Sequence, residues 1–296
     1  MTAAALATFE AARAQLIGLA YRITGSRTEA EDIVQETCLK WLAADQAVIQ
    51  VPRAWLMKVA TRLSLDYLKS ARVQRMSYIG PWLPEPFLAN ENTPEEELEL
   101  DESISMALLV LLEQLSPAER ASFILHDLFQ YRFEEIADIL DRSASACRKL
   151  ASRARAKVGR QDLQPELTRD AHLQMLNAFT QAVKQGETAP LVSLLQDEAT
   201  FVSDGGGKAL AARKIVRGSA LITRFFLKTV RPALLAAENP DPEIVIKITW
   251  FNGAPGLIIY QAGQPVSAFQ FQVAHNKIQN IYVLRNPDKL RLFHTS

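Results

Sequence analysis

The sequence predicts a multidomain fold: two all-α units, the second with a helix-turn-helix, followed by an α+β domain built on a curved antiparallel sheet. Three observations predict it. Apolar residues recur at helical spacing over 5–75 and again over 103–160. A proline-rich and then acidic stretch, 76–102, separates those two regions and has no period of its own. From about Glu166 the pattern changes, and over 166–296 apolar residues begin to alternate with polar ones as they do in strands.

In the first region, Thr28-Glu-Ala-Glu31 has the form of a capping box, in which the hydroxyl and the second carboxylate each satisfy a free backbone donor. The helix it opens sets Ala30, Val34, Thr37, Cys38 and Trp41 on one face. Asp32, Glu36 and Leu39 lie opposite, with Gln35 beside them. Pro52 is placed to start the next helix, from Arg53 to about Arg72, with Trp55, Leu56, Val59, Leu63 and Leu65 as its apolar material. Trp55 at helical spacing with Leu56 and Val59 reads as partly core.

Gly80-Pro-Trp-Leu-Pro-Glu-Pro86 cannot be helical, because three prolines in six residues remove donors and fix φ. The stretch is a linker, yet Trp82 and Leu83 are costly in a mere spacer, so it is expected to dock on the C-terminal domain or the first helical unit. Helices resume at Ser103, and Ser116-Pro-Ala-Glu119 is a strong helix start. Phe133, Ile136, Ala137 and Leu140 mark a short amphipathic helix. A turn around Asp141-Arg-Ser143 leads to a second, with Cys147, Leu150, Ala151, Ala154 and Val158 inward. The outward side of that second helix carries Ser145, Arg148, Lys149, Ser152, Arg153 and Arg155: small polar and basic, as entry into a major groove requires.

The C-terminal region reads as one helix, His172 to Lys184, a short one, Leu191 to Gln196, and strands at Ala199–Ser203, Ile244–Phe251, Phe269–Val273 and Ile278–Leu284. Asn252-Gly253, Gly263 and His275-Asn276 supply turns. Helices are expected on one face of the sheet.

Net charge is zero, but its distribution is uneven. Six basic residues and one acid lie between Arg53 and Arg75, and seven bases and no acid between Arg142 and Arg160. Seven acids and no base lie between Glu91 and Glu102. A phosphate backbone responds to local field, so two basic stripes point to a nucleic-acid partner. Cys38 and Cys147 have no companion at metal-ligand spacing and read as buried apolar residues in a reducing compartment, with no metal and no cofactor implied. The N-terminus lacks a basic leader and no run is long enough to span a bilayer, so the expectation is a cytoplasmic protein without a membrane partner.

The first 160 residues resemble the extracytoplasmic-function (ECF) group of sigma factors, which retain only domains 2 and 4. The resemblance rests on Ala30-Glu-Asp-Ile-Val-Gln-Glu-Thr37 with Leu39 and Trp41, Trp55-Leu-Met-Lys-Val-Ala60, Leu65-Asp-Tyr67, Ser116-Pro-Ala-Glu-Arg120 and Ser152-Arg-Ala-Arg155. Gly80 to Pro86, Asp204-Gly-Gly-Gly-Lys208 and Asn286-Pro-Asp-Lys-Leu290 resemble the signature motifs of the subgroup fused to a SnoaL-like domain, of the cone-shaped NTF2-like fold. The resemblance implies domain 2 at 5–75, a linker at 76–102, domain 4 at 103–160 and a SnoaL-like regulatory domain at 166–296. It implies partners too: core RNA polymerase, through the β′ clamp helices and the β subunit, and promoter DNA. Asp32, Gln35, Glu36 and Leu39 would meet the clamp helices. Arg53, Trp55, Lys58 and Arg62 would address the −10 element; Arg62 departs from the Asn common in the family. Ser145, Arg148, Lys149, Ser152, Arg153 and Arg155 would address the −35 element. Trp82, Leu83, Pro84, Asp204, Gly205, Gly206, Gly207, Lys208, Asn286, Pro287, Asp288 and Lys289 would form the linker and regulatory contacts.

Two alternatives stand beside this one. SnoaL-like folds include cyclases and isomerases that use a pocket carboxylate as base, for which Asp204, His172 and His275 are the candidates, and such a domain has room for a small-molecule ligand. A stand-alone helix-turn-helix regulator would not need the face from Asp32 to Leu39. The Asp204–Lys208 segment lacks the spacing of a phosphate loop and reads as a glycine hinge at a pocket mouth.

Overall fold

The computed structural model describes residues 3–88, 104–159, 168–236 and 244–294, without the side chains of 72–76, 233, 234 and 236. The acidic strip from Glu91 to Glu102, the helix start at Ser103, Arg160 and the boundary at Glu166 lie outside the described residues. The chain divides into two compact units. The first draws on Met1–Met76 and Leu108–Leu163, and the second on Ser77–Glu91, Asp101–Ala107 and Gln164–Ser296. Among the described residues no helix is long and apolar enough to cross a membrane.

The first unit is all helical. It contains α1 (Ala3–Thr24), α2 (Arg27–Ala43), α3 (Pro52–Met76), most of α4 (Met106–Leu112), α5 (Pro117–Phe123), α6 (Phe133–Leu140) and α7 (Ala144–Val158). Leu16, Leu19, Tyr21 and Ile23 of α1 are buried, as are Trp41 of α2 and Leu56 and Met57 of α3. The Trp41 indole donates to the Ala5 carbonyl at 2.8 Å, so this large apolar ring is buried without leaving its N–H unpaired.

Three expectations are corrected here. The cap of α2 is Ser26, whose hydroxyl accepts from Glu29 N, so the helix begins before Thr28. The buried stripe of α3 runs through Leu56, Met57, Ala60, Thr61, Ser64, Leu68 and Ala71, while Trp55, Val59, Leu63 and Leu65 are half-buried. Thr61 and Ser64 tolerate burial because their hydroxyls donate to the Met57 and Ala60 carbonyls one turn back. Cys38 is half-buried rather than buried; Cys147 is fully enclosed. The expected capping box at Ser116 is present in full, with Glu119 reaching back to Ser116 N at 3.0 Å.

The second unit contains α8 (Arg169–Gln185), α9 (Thr188–Leu194), β1 (Leu195–Asp204), β2 (Val216–Arg217), α10 (Ser219–Phe225), α11 (Arg231–Ala236), β3 (Ile244–Phe251), β4 (Ala254–Gln261), β5 (Gln264–Ala274), β6 (Lys277–Leu284) and α12 (Pro287–Leu290). The sheet order is β2-β1-β6-β5-β4-β3. It is not purely antiparallel as expected, because β1 and β6 pair parallel. Three two-residue turns, Asn252-Gly253, Ala262-Gly263 and His275-Asn276, join β3 through β6. Both residues of each turn have positive φ, the twist that lets adjacent strands pair without splaying.

Helices cover one face, where Phe179, Phe201, Phe226, Phe269 and Phe271 form the centre of the core. The other face is buried as well: Asp204, Gln270, Tyr282 and Leu284 are all enclosed. Segment 77–88 and the C-terminal residues are bonded there. Phe87 N donates to Asn252 Oδ1 at 3.0 Å, Asn252 N donates to the Phe87 carbonyl at 2.9 Å, and the Tyr260 hydroxyl donates to the Phe293 carbonyl at 2.9 Å. At the edge, β3 keeps Ile248 exposed, so its alternation does not produce a buried face.

Candidate functional site

The helix-turn-helix is built from α6 and α7. Asp141 adopts a left-handed conformation (φ 53°) after α6, and Ser143 caps α7 by accepting from Ala146 N. Ile136 and Ile139 of α6, with Cys147, Ala151, Ala154 and Val158 of α7, are buried. Ile139 was absent from the expected face, and Phe133, Ala137 and Leu140 are only half-buried. Ser145, Arg148, Lys149, Ser152, Arg153 and Arg155 are all exposed. They are not equivalent. The Arg155 guanidinium pairs with Asp127 at 2.6 Å, and Arg148 lies over the Phe133 ring at 5.2 Å. Lys149 and Arg153 have no ion pair among the described residues.

Beneath this surface, Glu119 joins α5 to α7 by accepting from Lys157 at 2.9 Å. The Ser116 backbone N–H and then Lys157 hold its carboxyl down to about 2.

In the −10 set, Arg53 and Arg62 are exposed and Trp55 and Lys58 half-buried. Trp55 sits 5.6 Å from the Trp41 ring, and Arg62 Nε donates to the Ile139 carbonyl of α6 at 3.2 Å. On α2, Asp32, Gln35, Glu36 and Leu39 form one exposed face, and Leu39 is 62% exposed despite being a leucine.

In the second unit the residues of all three signature segments meet at one carboxylate. Asp204 is fully buried at the end of β1. Its Oδ1 accepts from the Tyr78 hydroxyl at 2.5 Å and from Gly206 N at 3.0 Å. Its Oδ2 accepts from Leu83 N at 2.9 Å and from Lys289 Nζ at 2.7 Å. Four donors fill all four acceptor positions of a carboxylate. Lys289 also donates to the Leu83 carbonyl and lies 4.1 Å from the centre of the Trp82 ring, so the ammonium is satisfied by charge, dipole and π-face together. Asn286 caps α12 and donates to the Tyr78 hydroxyl at 3.0 Å. Burial, and then the hydrogen bond to Asp204, push the Tyr78 hydroxyl above the usual phenol range, which keeps it a donor.

This corrects the reading of Asp204-Gly-Gly-Gly-Lys208 as a hinge. A Cβ on Gly205 would lie 2.4 Å from the Ala209 carbonyl oxygen, and one on Gly206 (φ 59°) 2.3 Å from Asn286 Nδ2. The glycines permit close approach in a tight turn. Lys208 reaches Asp288 at 2.5 Å, within the same unit. Pro84 is buried beside Leu83, and Gly207 stands under Ile79. Sequence reasoning missed Tyr78, Phe87 and Asn252; an aromatic just ahead of the proline-rich stretch was the available signal for the first.

A separate cavity of about 370 Å³ opens on the helix-covered face, lined by Phe201, Phe225, Ile259, Phe269 and Val283, with Ser203, Ser267 and Arg285 among its polar residues. None of the three acid–base candidates lines it. Asp204 points to the opposite face. His172 Nε2 bonds the Phe271 carbonyl at 3.0 Å, and burial lowers its pKa. His275 occupies a hairpin turn. Among the described residues no cluster could hold a metal ion.

A helical unit with a basic helix-turn-helix and a second basic helical module, followed by an α+β domain, has the features of a DNA-binding protein. Comparison makes this specific. Sigma-70 region 2 matches residues 8–73 and Sigma-70 region 4 matches residues 105–158. The ECF RNA polymerase sigma factor SigJ of Mycobacterium tuberculosis is 39% identical over 291 residues, 95% of this chain and 91% of SigJ. The probable ECF RNA polymerase sigma factor SigI of the same species is 31% identical over 96% of this chain and 94% of SigI. The crystal structure of SigJ superimposes with a TM-score of 0.76, covering 96% of this chain and 97% of that one at 35% identity.

The chain therefore belongs to the ECF RNA polymerase sigma factors, with a C-terminal α+β sheet domain after the sigma domains. Promoter-specific transcription initiation is the function its sigma domains support.

Proposed function

We propose that this sigma factor is governed in cis by its own C-terminal domain, through the docking of segment 77–88 on Asp204 and Lys289. The observation that carries this reading is the four-donor shell around Asp204, which joins three segments far apart in sequence. The domain is a regulator without covalent chemistry: its carboxylate is consumed by structural bonds, and the candidate histidines stand outside the cavity. The protein works in the cytoplasm, on core polymerase and promoter DNA. Asp32, Gln35, Glu36 and Leu39 present acid and apolar area to the polymerase clamp. Lys149, Ser145 and Ser152 lead in reading the −35 element, with Arg148, Arg153 and Arg155 tracking phosphates. Arg53, Trp55, Lys58 and Arg62 engage the −10 element, which requires Arg62 to leave the Ile139 carbonyl.

In vitro transcription with core polymerase tests the reading. Three chains are compared: intact, ending near residue 160, and ending before Asn286. The last keeps the β-sheet but removes Lys289, so the two truncations are expected to change promoter activity differently. Identical behaviour of both truncated chains would overturn control through the Asp204 shell.

A further inference from the structure

Residues that neighbour Asp204 and Asn286 in sequence face the opposite side of the sheet, because successive residues of a strand alternate. Asp204 belongs with Leu284, its partner across the β1–β6 pair, on the face that receives segment 77–88. Ser203, paired with Val283, belongs to the other face and lines the cavity, as does Arg285 just beyond β6. On β5, Ala268 pairs with Leu284; carrying that antiparallel register one residue further sets Ser267 across from Arg285. Ser203, Ser267 and Arg285 thus gather on one wall of a space lined elsewhere by apolar residues together with Thr229 and Gln261.

Their hydrogen bonding is incomplete. Ser203 and Ser267 are 2% and 5% exposed, and neither hydroxyl has a partner among the described residues. Arg285 gives one Nη1 bond to the Leu210 carbonyl at 2.5 Å, while its Nε is buried without a partner. No carboxylate among the described residues pairs with it. Each buried donor left unmade carries a desolvation cost, larger for a charged group. Phe201, Phe225 and Phe269 leave a space of the size that small-molecule sites occupy. Arg285 is the one charged residue among the described residues of that lining, and with two buried hydroxyls on its wall beside three aromatic rings it matches an anion of single charge on an apolar body.

We propose that this cavity binds an amphipathic monocarboxylate, its head held by Arg285, Ser203 and Ser267 and its body between Phe201, Phe225 and Phe269. A dianion fits less well, because a single guanidinium leaves the second charge unpaired among aromatic rings. The site stands on the second unit alone and does not depend on control by segment 77–88.

Titration calorimetry on the intact chain tests it, using octanoate, octan-1-ol and octylamine below their micelle concentrations. Octanoate is expected to bind once per chain and at least about tenfold more tightly than octan-1-ol, the increment of one charge-assisted pair. Octylamine is expected to bind weakest. Arg285→Gln is expected to bring octanoate down to the alcohol's affinity and leave the alcohol unchanged, whereas Arg285→Lys keeps part of the preference. Equal binding of acid and alcohol to the unaltered chain, saturable binding of neither, or an acid preference that survives Arg285→Gln would each overturn the proposal. The comparison on the unaltered chain decides even where a variant fails to fold.

Discussion

The recognition helix α7 and the Asp204 shell use the same side-chain chemistry for opposite ends. On α7, Lys149 and Arg153 are exposed and without ion pairs among the described residues, so their charge is available to a passing phosphate. In the second unit, Asp204 and Lys289 are 0% and 7% exposed and bonded to each other and to segment 77–88. A solvated cation costs the fold almost nothing and is open to a partner. A buried pair would be expensive if broken, and so fixes which segments lie together. Charge alone therefore does not announce function; burial and completeness of bonding decide which role it takes.

The sharpest way to break this contrast is to remove one member of each set. Asp204→Ala strips the counter-charge from Lys289 and the acceptor from Tyr78 and Leu83, and is expected to cost about 3–5 kcal/mol. Denaturant unfolding of the intact chain measures it, and proteolysis should strike within 77–88. Pairing Asp204→Ala with Lys289→Met should recover part of that loss, because no unpaired charge remains buried. Gly256→Ala comes next: a Cβ there would lie 2.3 Å from Phe251 Cε1 and 2.5 Å from the Phe269 carbonyl oxygen, for an expected loss of about 1–3 kcal/mol by thermal unfolding.

Lys149→Ala should leave stability within about 0.5 kcal/mol of the parent. It should still weaken promoter binding by the holoenzyme, by about 1–3 kcal/mol, and relax discrimination among −35 sequences. Unchanged promoter affinity and −35 discrimination would remove Lys149 from the interface.

Acid gives a smaller and graded test within the helical unit. Glu119 titrates near 2 when folded, below the ordinary carboxylate value near 4.3 of an unfolded chain. Its contribution is thus fully present above about pH 4.3 and fades as pH falls through 2, since the unfolded chain takes up the proton first. Glu119→Gln should flatten that part of the stability–pH curve while leaving the curve above pH 5 parallel to the parent's.

How much of this could be read from the sequence depended on how local the cause was. The helix-turn-helix was legible because α6 and α7 each carry their own period, turn and cap within a dozen or so residues, and Ser116-Pro-Ala-Glu119 names its own helix start. Strand β4 was not, since Pro255 and Gly256 discourage a strand assignment, and the Phe251 ring and Phe269 carbonyl that require the glycine come from other strands. Helix α10 was missed for a related reason: its Ile222 and Phe225 pack into a core assembled from distant strands. The signature segments could be matched by resemblance, but not their convergence. Tyr78 and Asp204 are 126 positions apart, and Tyr78 and Asn286 208 apart, so no window contains them. The face covered by segment 77–88 was equally hidden, because the alternation along β5 gives that face Gln270, a residue type usually exposed, yet here it is 3% exposed.

Because every acceptor site on Asp204 is taken, the tether cannot loosen by degrees. Releasing Tyr78 or Leu83 singly would strand an oxygen lone pair away from water, so the strap is expected to lift off whole or stay seated. A fastening of that kind turns a gradual stimulus into a step.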